Sequence, residues 1–480
     1  MAQAAFQRAF YRAPRVPVQE VESLRSELGI RVFEDTAGEC PPPVIDFESL
    51  GVLPGYVIRG LHEQGISKPM PIQAQALPLV LSGRDVIGLA QTGSGKTLAF
   101  LLPAATHMEA QEPLASRGCT PIVLVLAPTR ELAVQISEEA EKILWHSKEG
   151  NHRSGLYSAC LYGGGDKRDQ KDKLRQGGQV VVATPGRLLD FIESNFVSLK
   201  RVTYFVLDEA DRMLDMGFLG DVTAISSHIR HDRQVLFFSA TWSDAVQELA
   251  LQLCDPDGER PIRISCGQSQ EGRADSGIAS AKHQAREGIE QRVVVVDDAG
   301  GNWKQQDAQK RVFLERHVTN ALESSEDHKV LVFVSQKQMA DELATRLWQD
   351  GFAADSMHGG KPQESRLWVL DQFRKGALRL LVCTDVLGRG IDLPNVSHVV
   401  IYEMGAIEDY IHRIGRTGRG PHGKGQALVF FEFWDREPHL AAELIEVLRA
   451  SAQAVPPELT RIAAEVASGR RGAAPWLAAG

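Results

Sequence analysis

From Phe47 onward, short continuous apolar runs recur along the chain, separated by longer segments whose apolar residues follow helical spacing. The first set of runs is Val86-Ile87-Gly88-Leu89, Ile122 to Leu126, Val180 to Val182, Tyr204 to Leu207 and Val235 to Phe238. A run without polar alternation predicts a strand buried on both faces, and strands alternating with helices predict a parallel, doubly wound α/β sheet. The pattern breaks at residues 265–288, which are polar and rich in Gly, Ser and Ala and read as a linker. A second set follows: Val293 to Val296, Val330 to Val334, Leu380 to Val382, Val399 to Ile401 and Ala427 to Phe431. The predicted organisation is an N-terminal extension (1–45), a first α/β domain (46–264), a linker (265–288), a second α/β domain (289–435) and a tail (436–480). Residues 299–309 read as a surface insertion. The extension holds a short helical pattern (Val21, Leu24, Leu28) and three prolines, Pro41-Pro42-Pro43. The tail holds a helix from Leu440 to Leu448, Pro456-Pro457 and a second, shorter helix.

Composition narrows the function classes. The chain has 480 residues, 43% hydrophobic and 24% charged, enough for two or three cores. Its net charge of −9 excludes a uniformly basic surface, so a polyanion must bind at a local patch. The six cysteines are far apart, with neither a CxxC pair nor a disulfide-like density, which fits a reducing compartment. No apolar stretch approaches the ~20 residues that span a bilayer. Arg8, Arg12 and Arg15, with no acid among the first eighteen residues, fit either an organellar presequence or a basic arm strapped to a domain surface.

Polar residues that follow the predicted strands carry the candidate chemistry, because open α/β sheets bind ligands at the carboxyl ends of their strands. Ala90-Gln91-Thr92-Gly93-Ser94-Gly95-Lys96-Thr97 links a strand to a helix. Its glycines let backbone amides turn toward phosphate oxygens, Lys96 supplies a cation for the terminal phosphates, and the Thr97 hydroxyl can ligate Mg²⁺. Asp208 ends the strand Tyr204 to Leu207, where a carboxylate can hold that metal through water. Glu209 beside it can take a proton from an attacking water. Pro128-Thr129-Arg130, Gly163-Gly164 and Thr184-Pro185-Gly186-Arg187 each follow a strand and suit phosphate oxygens; Thr129 and Thr184 equally suit helix N-caps. In the second domain, which lacks a phosphate loop, Arg413, Arg416 and Arg419 with two intervening glycines do not form a helix-surface pattern. They suit either charge stabilisation on a transferred phosphoryl group or a basic patch for the phosphates of a polyanion.

Taken together, AQTGSGKT, Pro128-Thr129-Arg130-Glu131-Leu132, Thr184-Pro185-Gly186-Arg187, Asp208-Glu209-Ala210-Asp211, Ser239-Ala240-Thr241 and His412 to Arg419 occur in the order seen in DEAD-box RNA helicases, a superfamily 2 family, and the resemblance covers about residues 45–435. It implies two tandem RecA-like domains joined by a flexible linker. It also implies RNA-stimulated ATP hydrolysis, coupled by closure of those domains to local unwinding or RNA–protein remodelling. Implied cofactors are ATP and Mg²⁺. The implied partner is RNA, a single strand or short duplex gripped by its backbone with little sequence selectivity; protein cofactors and a monomeric state go with the family. By the same resemblance Phe47 stacks on the adenine and Gln73 reads its edge. Asp392 meets the ribose, Arg413 and Arg416 act on the γ-phosphate, and Ser239 and Thr241 couple the two sites. RNA lies on Pro128 to Arg130, Gly163, Gly164, Thr184 to Arg187, His358, Gly359 and Thr384. Ala90, Ile66, Leu387-Gly388 and Gly405 depart from the usual family residues. The N-terminal segment resembles that of the subgroup associated with splicing and messenger-RNA metabolism, which points to the nucleus.

Overall fold

The computed structural model describes residues 6–33, 40–90, 93–112, 120–254, 261–266, 288–296, 303–385, 393, 396–418 and 424–471. The chain divides into two compact units, Met1–Ala274 and Asp275–Gly480.

The first unit is built on eight strands: β1 (Ile30–Phe33), β2 (Val86–Leu89), β3 (Val123–Leu126), β4 (Tyr157–Leu161), β5 (Gly178–Ala183), β6 (Tyr204–Leu207), β7 (Gln234–Ser239) and β8 (Ile262–Cys266). They lie in the order β1-β8-β2-β7-β6-β3-β5-β4, and every pair is parallel except β1 with β8. The apolar runs explain this layering. Val123, Val125, Val180, Val182, Val206 and Leu236 face one core, and their neighbours Leu124, Leu126, Val181, Phe205, Leu207 and Val235 face the other. Successive side chains leave opposite faces of a strand, so a strand covered by helices on both sides must be apolar throughout. Each such residue contributes roughly 1.5–3 kcal/mol by leaving water.

The N-terminal segment, expected as a separate extension, is part of this unit. β1 adds an antiparallel edge strand in the register Ile30↔Cys266 to Phe33↔Arg263. Upstream, the amides of Phe10 and Tyr11 donate to Leu81 O at 2.7 and 3.0 Å, and Arg8 pairs with Asp85 at the start of β2. Phe6 and Phe10 pack edge-on against His107, which burial holds neutral with its pKa lowered to about 3. Arg8, Phe10 and Tyr11 of the arginine-bearing start are thereby strapped to the surface of this unit.

The second unit carries six parallel strands, β9 (Ile289–Val295), β10 (Lys329–Phe333), β11 (Ala354–Met357), β12 (Leu380–Cys383), β13 (Val396–Ile401) and β14 (Gly425–Phe431), ordered β11-β12-β10-β13-β14-β9. The expected insertion at 299–309 is replaced, from Trp303, by the helix Trp303–Ser324, which buries Leu314, Val318 and Ala321. The tail is likewise structural: the helices Leu440–Ala450 and Pro457–Ala467 place Leu444, Leu448, Leu459 and Ile462 in the core of this unit. Of the expected linker, Ser265 and Cys266 end β8 and Gly288 precedes β9; the remainder lies outside the described residues.

Candidate functional site

The strand order sorts the sequence motifs along the carboxyl edge of the first sheet. Loops after β2, β7 and β6 carry the glycine-rich segment, Ser239 to Thr241, and Asp208 to Asp211; loops after β3, β5 and β4 carry Pro128 to Arg130, Thr184 to Arg187, and Gly163-Gly164. Strands in a sheet are about 4.8 Å apart, so each group of three occupies a short arc.

In the first arc the helix Lys96–Glu109 begins directly at the loop, with Gly95 at its N-cap in the left-handed region (φ 88°) and Gly93 likewise at φ 79°. A Cβ on Gly95 would collide with the Gln73 amide and come within 2.8 Å of Met70 Sδ. Gln73 holds this loop: its Nε2 donates to Gly95 O at 2.9 Å and its Oε1 accepts from Met70 N at 2.9 Å. Both ends of the amide are therefore engaged by the loop and the helix start. Phe47 is 2% exposed and packs in the core of this unit. Gln91 and Thr92 lie outside the described residues.

Lys96 and Asp208 are both buried, and Lys96 Nζ, Asp208 Oδ1 and Ser94 Oγ have no hydrogen-bond partner among the described residues. Burial pushes the Asp208 carboxyl above its usual range, and the nearby Lys96 ammonium pulls the other way. Glu209, buried beside it, takes a left-handed backbone (φ 56°) at the start of the helix Ala210–Asp215, a conformation that strains a residue with a Cβ and recurs at functional sites. Asp211 is a functional candidate that the sequence reading quoted without a role. Its Oδ2 accepts from Thr241 N at 3.1 Å and Thr241 Oγ1 at 3.0 Å, while Ser239 O accepts from Ala90 N at 3.1 Å. Ser239 and Thr241 thus join the glycine-rich loop on one side to the acidic segment on the other. An acid three residues past Asp208, one helical turn away, was the signal for Asp211.

In the second arc the polar side chains turn inward. Thr129 Oγ1 accepts from Leu132 N at 3.3 Å, capping the helix Arg130–Leu144, and buried Pro128 precedes it. Thr184 N donates to Leu161 O at 2.9 Å and Pro185 opens the next helix. Arg187, expected on phosphate, is 8% exposed and donates to Gly165 O at 3.2 Å and Gln170 Oε1 at 3.3 Å, so it braces the loop after β4. Gly164 (φ 80°) sits against the Arg130 guanidinium, whose Cζ a Cβ would meet at 2.8 Å. Gly164 and Gly186 are exposed and Gly163 half-exposed, leaving backbone at the rim.

The second unit holds its candidate groups by internal pairing. His358 Nε2 lies 2.9 Å from Asp341 Oδ1 and its Nδ1 accepts from Gly360 N at 3.1 Å, leaving Gly359 exposed. Burial raises the Asp341 carboxyl, but hydrogen bonds from Ser356 and His358 outweigh it and hold the group below its usual range. Thr384 N donates to Met357 O at 3.2 Å. Arg413, expected to offer its guanidinium for phosphoryl transfer, is 2% exposed: Nε and Nη2 grip Asp385 at 2.8 and 3.0 Å and Nη1 donates to Glu403 O at 2.9 Å. The planar fork matches a carboxylate, and Asp385 stands close enough to take it. Arg416 is 1% exposed with Nε directed to His412 O at 3.3 Å. Asp392 lies outside the described residues.

The DEAD/DEAH box helicase model matches residues 70–249, and the helicase conserved C-terminal domain matches residues 310–421. The ATP-dependent RNA helicase DBP2 of Candida albicans is 44% identical over 444 residues, 92% of this chain and 72% of that protein. DEAD-box ATP-dependent RNA helicase 20 of Arabidopsis thaliana is 41% identical over 459 residues, 95% of this chain and 83% of that one. Among solved structures, Saccharomyces cerevisiae Dbp5 bound to RNA and ADP BeF3 aligns with a TM-score of 0.65 at 27% identity, covering 88% of this chain and 100% of that chain. The DEAD-box helicase Mss116 bound to ssRNA and UDP-BeF aligns at 0.70 and 29% identity, covering 87% and 82%. With its glycine-rich loop, acidic segment and Ser239–Thr241 bridge on adjacent strands, and with relatives of this identity along most of its length, the chain belongs to the DEAD/DEAH box helicase family.

Proposed function

We propose that the protein is an ATP-dependent RNA helicase in which RNA stimulates ATP hydrolysis and closure of the two units remodels the bound RNA. The observation that carries the reading is a buried cation and a buried carboxylate oxygen, Lys96 Nζ and Asp208 Oδ1, both without a hydrogen-bond partner among the described residues, following β2 and β6. Burying such groups alone is costly, and a triphosphate with its counter-cation supplies both partners. Magnesium fits this donor set: Thr97 and Asp208 would hold it, and bound there it neutralises charge on the β- and γ-phosphates. Lys96 balances the terminal phosphates, the loop amides orient them, and Glu209 accepts the proton of the attacking water. Arg413 and Arg416 stabilise charge on the transferred phosphoryl group, a contribution of ~10³–10⁵ in rate for such arginines. To do so Arg413 exchanges Asp385 for phosphate. The exposed glycine backbone at positions 164, 186 and 359 supports recognition of RNA through phosphate and sugar.

Steady-state ATPase measured with and without single-stranded RNA tests this, alongside displacement of a short duplex. RNA should raise turnover, and Glu209→Gln should abolish turnover while retaining RNA in an ATP-dependent complex. Hydrolysis indifferent to RNA, or normal hydrolysis by Glu209→Gln, would overturn the assignment.

A further inference from the structure

A stack of three side chains lies against the segment that joins the glycine-rich loop to the acidic one. The Arg263 guanidinium sits 4.7 Å from the Phe33 ring centre and 4.9 Å from that of Trp242. Phe33 is the last residue of β1 and stands directly opposite Arg263 of β8 in the antiparallel register; Arg263 is in turn level with Ile87 of β2. Trp242 follows Thr241, the residue bound twice to Asp211, and lies three residues after Ser239, which holds the Ala90 amide. Residues 241–243 have no regular secondary structure, so side-chain anchors set their path. A cation between two aromatic faces is attracted by both quadrupoles, and the planar guanidinium suits stacking.

We infer that Phe33, Arg263 and Trp242 are positioning residues for the RNA-dependent step, resting on the helicase reading above. The N-terminal strand, through Arg263, fixes Trp242 and hence the Thr241–Asp211 contact. Phe33 and Arg263 both lie outside the 70–249 span matched by the family model. The stack therefore makes the N-terminal segment part of the coupling apparatus, beyond its role as sheet edge.

Full-length Arg263→Ala, Arg263→Lys, Phe33→Ala and Trp242→Phe would be compared with wild type. The readouts are ATPase at saturating poly(U), KM for ATP, and hydrogen exchange at the Thr241 and Trp242 amides. Arg263→Ala and Phe33→Ala should lower RNA-saturated kcat about three- to tenfold with KM for ATP unchanged; Arg263→Lys, which keeps the charge but loses the planar stack, should fall between Arg263→Ala and wild type, and Trp242→Phe should retain most of the rate. Exchange at Thr241 should quicken in Arg263→Ala while β2 and β7 amides keep their protection. Unchanged exchange, a loss confined to KM for ATP, or failure of Trp242→Phe to retain kcat would overturn the inference. Wild-type protein without RNA stimulation would overturn the helicase reading instead, and the exchange comparison would still decide whether the stack holds Thr241.

Discussion

After β2, β7 and β6 the first unit leaves Lys96 Nζ, Asp208 Oδ1 and Ser239 Oγ buried without hydrogen-bond partners among the described residues, whereas after β3, β5 and β4 it fastens Thr129 to Leu132 N and Arg187 to Gly165 O and Gln170. Both arcs belong to one sheet and one carboxyl edge. The difference is where satisfaction of the polar groups comes from. In the first arc these three atoms find none among the described residues, and a bound triphosphate would supply it. In the second arc the fold provides it, and what remains at the rim is backbone.

This contrast is open to direct attack. Lys96→Ala should cut ATP turnover by about 10²–10³-fold, in line with loss of a transition-state charge contact. Because the ammonium has no hydrogen-bond partner among the described residues, thermal unfolding of the variant without nucleotide should occur at or above the wild-type temperature; a clear fall would mean the two arcs are built alike. Arg187→Ala should do the opposite, lowering stability by about 1–3 kcal/mol through the unmet Gly165 carbonyl and Gln170, with RNA-free ATPase retained. Chemical denaturation beside basal ATPase would read both. Thr129→Ala should lose about 1 kcal/mol as a removed N-cap, and Thr129→Ser should regain it.

The smallest effect concerns the opposite end of β2. Asp85, gripped by Arg8 and by Val235 N, still has its pKa raised to about 6, because desolvation outweighs the Arg8 charge and the Val235 hydrogen bond. A raised folded pKa favours the protonated form. The stability of wild type relative to Asp85→Asn should therefore be highest below about 4 and decline as pH rises through about 6. Denaturation of the pair at successive pH values measures it.

Much of this was legible in the sequence for a definite reason. Strands buried on both faces declare themselves as unbroken apolar runs, so β3, β5, β6, β7, β10 and β12 were readable. β11 was not, because Ala354-Asp355-Ser356-Met357 carries little apolar signal and is fixed only by its neighbour β12. β1 escaped because an edge strand need not be apolar on both faces. Motif order likewise located the glycine-rich loop and the acidic segment, but it could not say which way a polar side chain turns. Arg187 and Arg413 look equally available in one dimension; packing gives each an internal acceptor. Asp385 became visible only through Arg413, the group it binds.

β1 also has a consequence for how the protein behaves before any nucleotide arrives. A parallel sheet ending at β8 would show a row of unpaired amides and carbonyls to every other molecule in solution, and such edges recruit foreign strands. The chain covers its own with Ile30 to Phe33. A version begun at residue 46 would retain both RecA-like sheets and yet be expected to self-associate, its solubility having been carried by the segment removed.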